Sequence, residues 1–130
     1  MPFSETARKV GVLTVDDQSV FRKAATAVVD ATPGFEAIGE AASGEEALRL
    51  STLLRPALVL LDVRMPGMDG IETARKLAVA QPDAIVVLIS IEDISDSAPL
   101  VERSGAAALL AKQSLCPRVL EQLWHAHRPR

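Results

Sequence analysis

Five polar residues stand where apolar runs of the sequence end, and their types could do chemistry together. Asp16 and Asp17 follow "VGVLTV", Asp62 follows "ALVLL", Ser90 closes "AIVVLIS", and Lys112 follows "AAALLA". Three carboxylates brought to one place repel one another, and at least one pKa rises unless a cation intervenes. A hard divalent ion that takes oxygen ligands and keeps its waters answers that need, and Mg²⁺ fits. A phosphoryl group arriving there would meet a metal, the ammonium of Lys112 and the hydroxyl of Ser90, while a carboxylate offers itself as nucleophile. Those are the parts of phosphoryl transfer to an aspartate.

The five residues meet only if the elements bearing them end on one edge. Short apolar runs alternate with helical patterns along the chain: strands at 10–15, 35–41, 57–62, 84–90 and 106–111. Between them, "SVFRKAATAVVDA" places Phe21, Ala24, Ala25 and Val28 on one helical face, stopped by Pro33-Gly34. Ser43 with Glu46, and Asp69 with Glu72, form capping boxes ahead of a helix at about 44–54 and another through "IETARKLAVA", whose Ile71, Ala74 and Ala78 face inward. A short helix over about 96–103 is limited by Pro99, and a last helix from Pro117 carries Val119, Leu120, Leu123 and Trp124. Strands without polar alternation are covered on both faces, so five such βα units predict an α/β fold, a doubly wound parallel sheet with helices on both sides. In such sheets ligands gather outside the carboxyl ends of the strands.

Composition narrows the function classes. The 130 residues suit one domain, and a net charge of −3 leaves no electrostatic footprint for nucleic acid or an anionic membrane. "MPFSETARKV" lacks the apolar core of a signal peptide, and no run approaches the roughly 18 apolar residues of a membrane span. A single cysteine, Cys116, excludes an intrachain disulfide and suits a reducing cytoplasm. Next to Pro117 it reads as a small residue at a helix cap. His125 and His127 lie on different helix faces and, with Arg128, complement the helix C-terminus rather than bind a metal. Only the tail "HAHRPR" reads as loose.

"VDDQ", "LLDVRMPGMDG", "LIS" and "GAAALLAK", in that order and spacing, resemble the receiver domain of bacterial two-component response regulators. The resemblance covers about 9–127, leaving 128–130 as a tail of a single receiver domain over 1–130. "SVFRKA" after the acidic pair and Cys116-Pro117 opening the last helix are similar to the branch attached to LuxR-type outputs. It implies a flavodoxin-like strand order 2-1-3-4-5 and phosphorylation of Asp62 by a sensor histidine kinase. It implies Mg²⁺ held by Asp17, Asp62 and the backbone carbonyl of Arg64, with Asp16 acting through water. Lys112 would contact the phosphoryl group and Ser90 would swing toward it, so the domain is a switch for an output domain or partner rather than an enzyme on a separate substrate. A second copy is a candidate partner near Trp124.

The chain departs from the common receiver pattern at three positions. Leu109 stands where many receivers carry the aromatic switch residue, Ile91 where a small residue is usual, and Gln113 where many have proline. Signal output is therefore expected to run through Ser90 and residues 92–105. Arg64 and Glu92 are expected to flank the site mouth with Ile91, slowing turnover. A phosphatase of the haloacid dehalogenase type would want a second Asp at position 64, and a flavin carrier a Ser/Thr/Gly-rich loop in place of "DDQSVF". The alternative of a different class is a degenerate receiver that serves as a constitutive protein-binding module.

Overall fold

Runs of Val, Leu and Ile long enough for a strand and free of polar alternation bury both faces, and five of them build the sheet. The computed structural model describes residues 8–91 and 98–129. Its strands are β1 (Val10–Val15), β2 (Phe35–Ala41), β3 (Leu58–Asp62), β4 (Ile85–Ser90) and β5 (Ala108–Ala111). The helices are α1 (Ser19–Ala31), α2 (Gly44–Leu54), α3 (Gly70–Ala80), α4 (Ala98–Ser104) and α5 (Pro117–His127), with a 3₁₀ turn over Lys112–Ser114. All neighbouring strands are parallel, in the order β2-β1-β3-β4-β5, the flavodoxin-like arrangement expected.

Each face of the sheet carries its own apolar cluster. Val12, Leu58, Leu60, Val87 and Ile89 pack with Val29 of α1 and Leu120 of α5, while Leu13, Val15, Val59, Leu61 and Leu88 pack with Ala47 of α2 and Leu77 of α3. Fully burying one such Leu or Val contributes about 1.5–3 kcal/mol. Strand β2 serves both faces through a register shift: Val12 pairs with Ala37, but Leu13 pairs with Gly39. The extra residue, Ile38, turns Phe35 and Ala37 to one face and Ala41 to the other.

Each of two helices turns inward as expected, through Phe21 and Ala25 in α1 and Ile71 and Ala74 in α3, but with one expected position facing solvent. In α1 the fully buried positions are Ala25 and Val29, and Ala24 is exposed. In α3 they include Ala74 and Leu77, and Ala78 is exposed. Both capping serines and aspartates act as expected: the Glu46 N–H donates to Ser43 Oγ at 3.1 Å and the Glu72 N–H to Asp69 Oδ1 at 2.9 Å. The Glu46 carboxylate reaches one residue further back than a capping box requires, accepting from the Ala42 N–H at 2.6 Å. The fourth helix begins, among described residues, at Ala98 with Pro99 in its first turn, where proline is tolerated. Residues 92–97, which hold Glu92, the start of the expected helix and the first part of the expected output segment 92–105, lie outside the described residues. Helix α5 takes in His125, Ala126 and His127, which the sequence assigned to the loose tail. Trp124 meets Phe35 edge to face, with ring centres 6.4 Å apart, and so packs as expected. Among the described residues no helix is long and apolar enough to cross a membrane.

Candidate functional site

Parallel registration carries the strand ends to one edge. Val15 pairs with Leu61, Asp62 with Ile89 and Ser90 with Ala111. Asp16 therefore leaves β1 beside the end of β3, Ser90 ends β4 one step on, and Lys112 opens the turn after β5. A cleft of about 190 Å³ at this edge is lined by Asp17, Gln18, Asp62, Arg64, Ser90, Ile91 and Lys112. A larger groove of about 450 Å³ lies alongside, between Val63, Met65, Pro66 and Ile71, and holds none of the three clustered aspartates. Chemistry belongs to the smaller cleft.

The three carboxylates converge. Asp16, Asp17 and Asp62 each offer an oxygen within 4.8 Å of the others. Asp16 is 0% exposed, Asp62 6% exposed, and Asp17 faces solvent. Asp16 is bound tightly by its surroundings: its N–H donates to the Ala41 carbonyl at 3.0 Å, and its Oδ1 accepts from the Gln18 N–H at 2.8 Å. Its carbonyl accepts from Arg22 Nη1 at 2.6 Å, and Arg22 Nε also donates to Glu40 Oε1 on β2 at 3.1 Å. Lys112 Nζ lies 2.5 Å from Asp16 Oδ2 and 3.8 Å from Asp62 Oδ2. The closer contact is poorly directed, so Asp16 Oδ2 makes no hydrogen bond of good geometry despite its ionic neighbour.

Asp62 ends a strand whose five residues are all buried. Among the described residues its Oδ1 accepts a long bond, 3.3 Å, from the Arg64 N–H. Burial raises its pKa most, the Asp16 charge raises it further, Lys112 and the Arg64 N–H pull it back, and Asp17 adds a smaller upward push. The result is about 6 against an ordinary 3.8. A buried carboxylate in that state, beside a buried carboxylate oxygen without a well-directed donor and a third at the rim, is a donor set suited to a hard divalent cation. Such a cation would favour the ionised form of Asp62.

The loop beyond Asp62 is held by backbone proximity. The Gly70 N–H donates to the Val63 carbonyl at 2.9 Å, and a Cβ at Gly70 would collide with the Asp62 carbonyl oxygen and come within 2.8 Å of Val63 Cα. Glycine is required there for α3 to start against the strand end. Gly67 takes a left-handed turn, φ 76°, after Pro66.

The structure gathers every sequence-predicted site residue at this edge: Asp16, Asp17, Asp62, Arg64, Ser90 and Lys112, with Ile91 on the rim, 73% exposed. Leu109 is half-buried against the cluster of Leu13 and Leu88. Cys116 is the N-cap residue of α5, half-buried, with no side-chain cap bond. Two contributors were not read as site residues. Arg22 anchors the Asp16 backbone, and Phe21 lays its ring 4.6 Å from Lys112 Nζ. Their sequence signal is weak: both fall in the first turn and a half after the acidic pair, where a helix returns over the strand end.

Comparison with known proteins agrees with this geometry. A family model for the response regulator receiver domain matches residues 12–123. The chain is 36% identical over 103 residues to response regulator GacA of Pseudomonas aeruginosa, covering 79% of this chain and 48% of GacA. It is 36% identical over 115 residues to transcriptional regulatory protein LiaR of Bacillus subtilis, covering 88% of this chain and 54% of LiaR. The chain thus spans about half the length of these relatives. The solved receiver domain of response regulator NarL from Mycobacterium tuberculosis aligns at 32% identity with a TM-score of 0.78, over 89% of this chain and 97% of that one. An acid cluster at the carboxyl edge of a 2-1-3-4-5 sheet and a family match over nearly the whole chain agree, and the chain belongs to the response regulator receiver domains of two-component signalling systems.

Proposed function

We propose that this receiver accepts a phosphoryl group on Asp62 from the phosphohistidine of a sensor kinase. A carboxylate oxygen of Asp62 attacks phosphorus, the phosphorus–nitrogen bond breaks, and its electron pair returns to the histidine ring. Asp17, Asp62 and the Arg64 carbonyl would hold Mg²⁺, with Asp16 acting through water; when bound, the ion supplies charge neutralisation for the phosphoryl oxygens. Lys112 meets the transferred group as a cation, and Ser90 responds to its presence. The observation that supports this most is the convergence of three carboxylate oxygens within 4.8 Å beside Lys112.

The domain acts as a switch within one functional unit over 1–130 rather than as an enzyme on a separate substrate. Its partners are a sensor histidine kinase and an output domain or downstream protein, with a second copy as a further candidate, and it works in the cytoplasm. LiaR is named a transcriptional regulatory protein and GacA a response regulator, and both extend well beyond the region matched. Transcriptional output is accordingly the favoured destination of the signal, with DNA contact made outside this domain.

The test is intact mass after incubation with acetyl phosphate and Mg²⁺. One phosphoryl group should be added, and neither Asp62→Asn nor wild type in chelator should gain it. A wild-type domain that stays unmodified in Mg²⁺ would favour a constitutive binding module instead.

A further inference from the structure

Lys112 is held from three directions. Its Nζ faces Asp16 Oδ2 at 2.5 Å, Asp62 Oδ2 at 3.8 Å and the ring centre of Phe21 at 4.6 Å. An ammonium has three N–H donors and no other polar capacity. Asp16 Oδ2 is its nearest ionic neighbour, the face of the ring lies close on another side, and donor capacity is left for Asp62 and whatever Asp62 carries.

Phe21 is well placed to hold that geometry. It packs against the cluster of Val12, Val29, Leu60 and Leu120. The next residue, Arg22, donates to the Asp16 carbonyl at 2.6 Å, which ties the same turn of α1 to the acidic strand end. One helix therefore fixes both the carboxylate that grips Lys112 and the ring that flanks it. Lys112 is only 15% exposed on its side chain, so much of the water around its ammonium has been replaced. An aliphatic residue at position 21 would fill similar space but offer the desolvated cation nothing in return.

We propose that Phe21 is a positioning residue for phosphoryl transfer: its ring face orients Lys112 so that one N–H points at the phosphoryl group on Asp62. The inference rests on the reading that Lys112 contacts that group. A ring face against a partly desolvated ammonium corresponds to about three- to thirty-fold in affinity for a ligand that needs the lysine in place.

Beryllofluoride at saturating Mg²⁺ is the probe. Phe21→Leu should bind it about three- to thirty-fold more weakly, while its affinity for Mg²⁺ alone changes less than twofold. Phe21→Tyr, which keeps the π face, should bind beryllofluoride within twofold of wild type. In metal-free wild-type protein, the Lys112 ε-methylene protons should show nuclear Overhauser contacts to the Phe21 ring and a ring-current shift upfield. Wild-type beryllofluoride affinity in Phe21→Leu, or equal loss of Mg²⁺ and beryllofluoride affinity, would overturn the positioning role. If Phe21→Leu does not fold, absence of the ring contact in wild type does the same. Lys112→Met separates the two layers. If it binds beryllofluoride as wild type does, the underlying reading fails; if it binds weakly while Phe21→Leu is unaffected, only the role of Phe21 fails.

Discussion

The two sides of the cleft are built differently. At the β3–α3 side every residue of the strand is buried, Gly70 donates to the Val63 carbonyl at 2.9 Å, and Asp69 caps α3 through the Glu72 N–H at 2.9 Å. The Thr73 hydroxyl closes the same turn by donating to the Asp69 carbonyl at 2.8 Å. At the β4–β5 side, all four residues of β5 are half-buried, and α4 has seven residues, of which Ser104 is buried. The C-terminal end of α4 is tied to α3 by Arg75 Nε, which donates to the Arg103 carbonyl at 2.8 Å, and the chain leaves it through Gly105 at φ 78°. Regions with few buried contacts open at low free-energy cost. On the reading proposed above, Asp62 is expected to be held rigid on one side and conformational response to fall to the other.

One substitution placed on each side tests this contrast most sharply. Gly70→Ala should cost about 3 kcal/mol or more, because the new Cβ collides with strand backbone that cannot move without shifting Asp62. Gly105→Ala should cost about 1–2 kcal/mol, since its penalty is that of a left-handed backbone and the nearest atom, Ala78 Cβ, stands 3.4 Å away. Urea denaturation of both variants gives the two numbers. Equal costs would remove the distinction between the sides.

The rigid side also carries a pH dependence. Asp62 titrates near 6 in the folded chain and near 3.8 when unfolded. Well below pH 3.8 both states are protonated and the folded state bears no penalty. As pH rises from 4 to 6 the unfolded chain releases its proton first, so stability falls, by at most about 3 kcal/mol above pH 6. In metal-free buffer Asp62→Asn should therefore be more stable than wild type at pH 8 and nearly equal to it at pH 4. Added Mg²⁺ should recover much of the difference in wild type. A variant less stable than wild type at pH 8 would mean that the buried charge is already compensated.

A smaller effect is expected inside β1. Thr14 Oγ1 is buried without a hydrogen-bond partner among the described residues, and an unmatched buried hydroxyl is costly. Thr14→Val should raise stability by about 1 kcal/mol, measured by thermal unfolding, without altering acetyl phosphate labelling.

The responsive side gives the smallest changes. Beryllofluoride should alter hydrogen exchange over residues 98–105, with little change at Leu109 and with β3 still protected, and Ser90→Ala should blunt that change. Full protection changes in Ser90→Ala would rule out Ser90 as the route. Ile91, 73% exposed on the cleft rim, should slow entry of both phosphodonor and water. Ile91→Ala should then speed labelling and hydrolysis together by a few-fold in a mass-spectrometric time course.

Much of this molecule is legible residue by residue. Strand positions follow from apolar runs such as "LVLL" and "IVVLI", whose length and β-branching suit a strand buried on both faces. Helix starts at Gly44 and Gly70 follow from Ser43 and Asp69, because capping is a local interaction between residues three apart. The candidate site residues are legible for the same reason: a polar side chain at the end of a buried strand is conspicuous, and a parallel sheet brings all such ends to one edge. Helix phase is less so. Ala24 and Ala25, or Leu77 and Ala78, satisfy the same periodicity, and only packing against the sheet selects Ala25 and Leu77.

What the sequence determined by itself was a parallel α/β sheet with carboxylates, a hydroxyl and a lysine at its carboxyl edge, since strand length, caps and polar interruptions are properties of neighbouring residues. Tertiary structure alone decided that Lys112 pairs more closely with Asp16 than with Asp62, that Arg22 anchors the Asp16 backbone and that Phe21 flanks the ammonium. It alone decided the register shift at Ile38 that lets one edge strand feed both cores. These depend on distances between residues far apart in the chain, and such distances are set by how helices pack across the sheet, which no local spacing encodes.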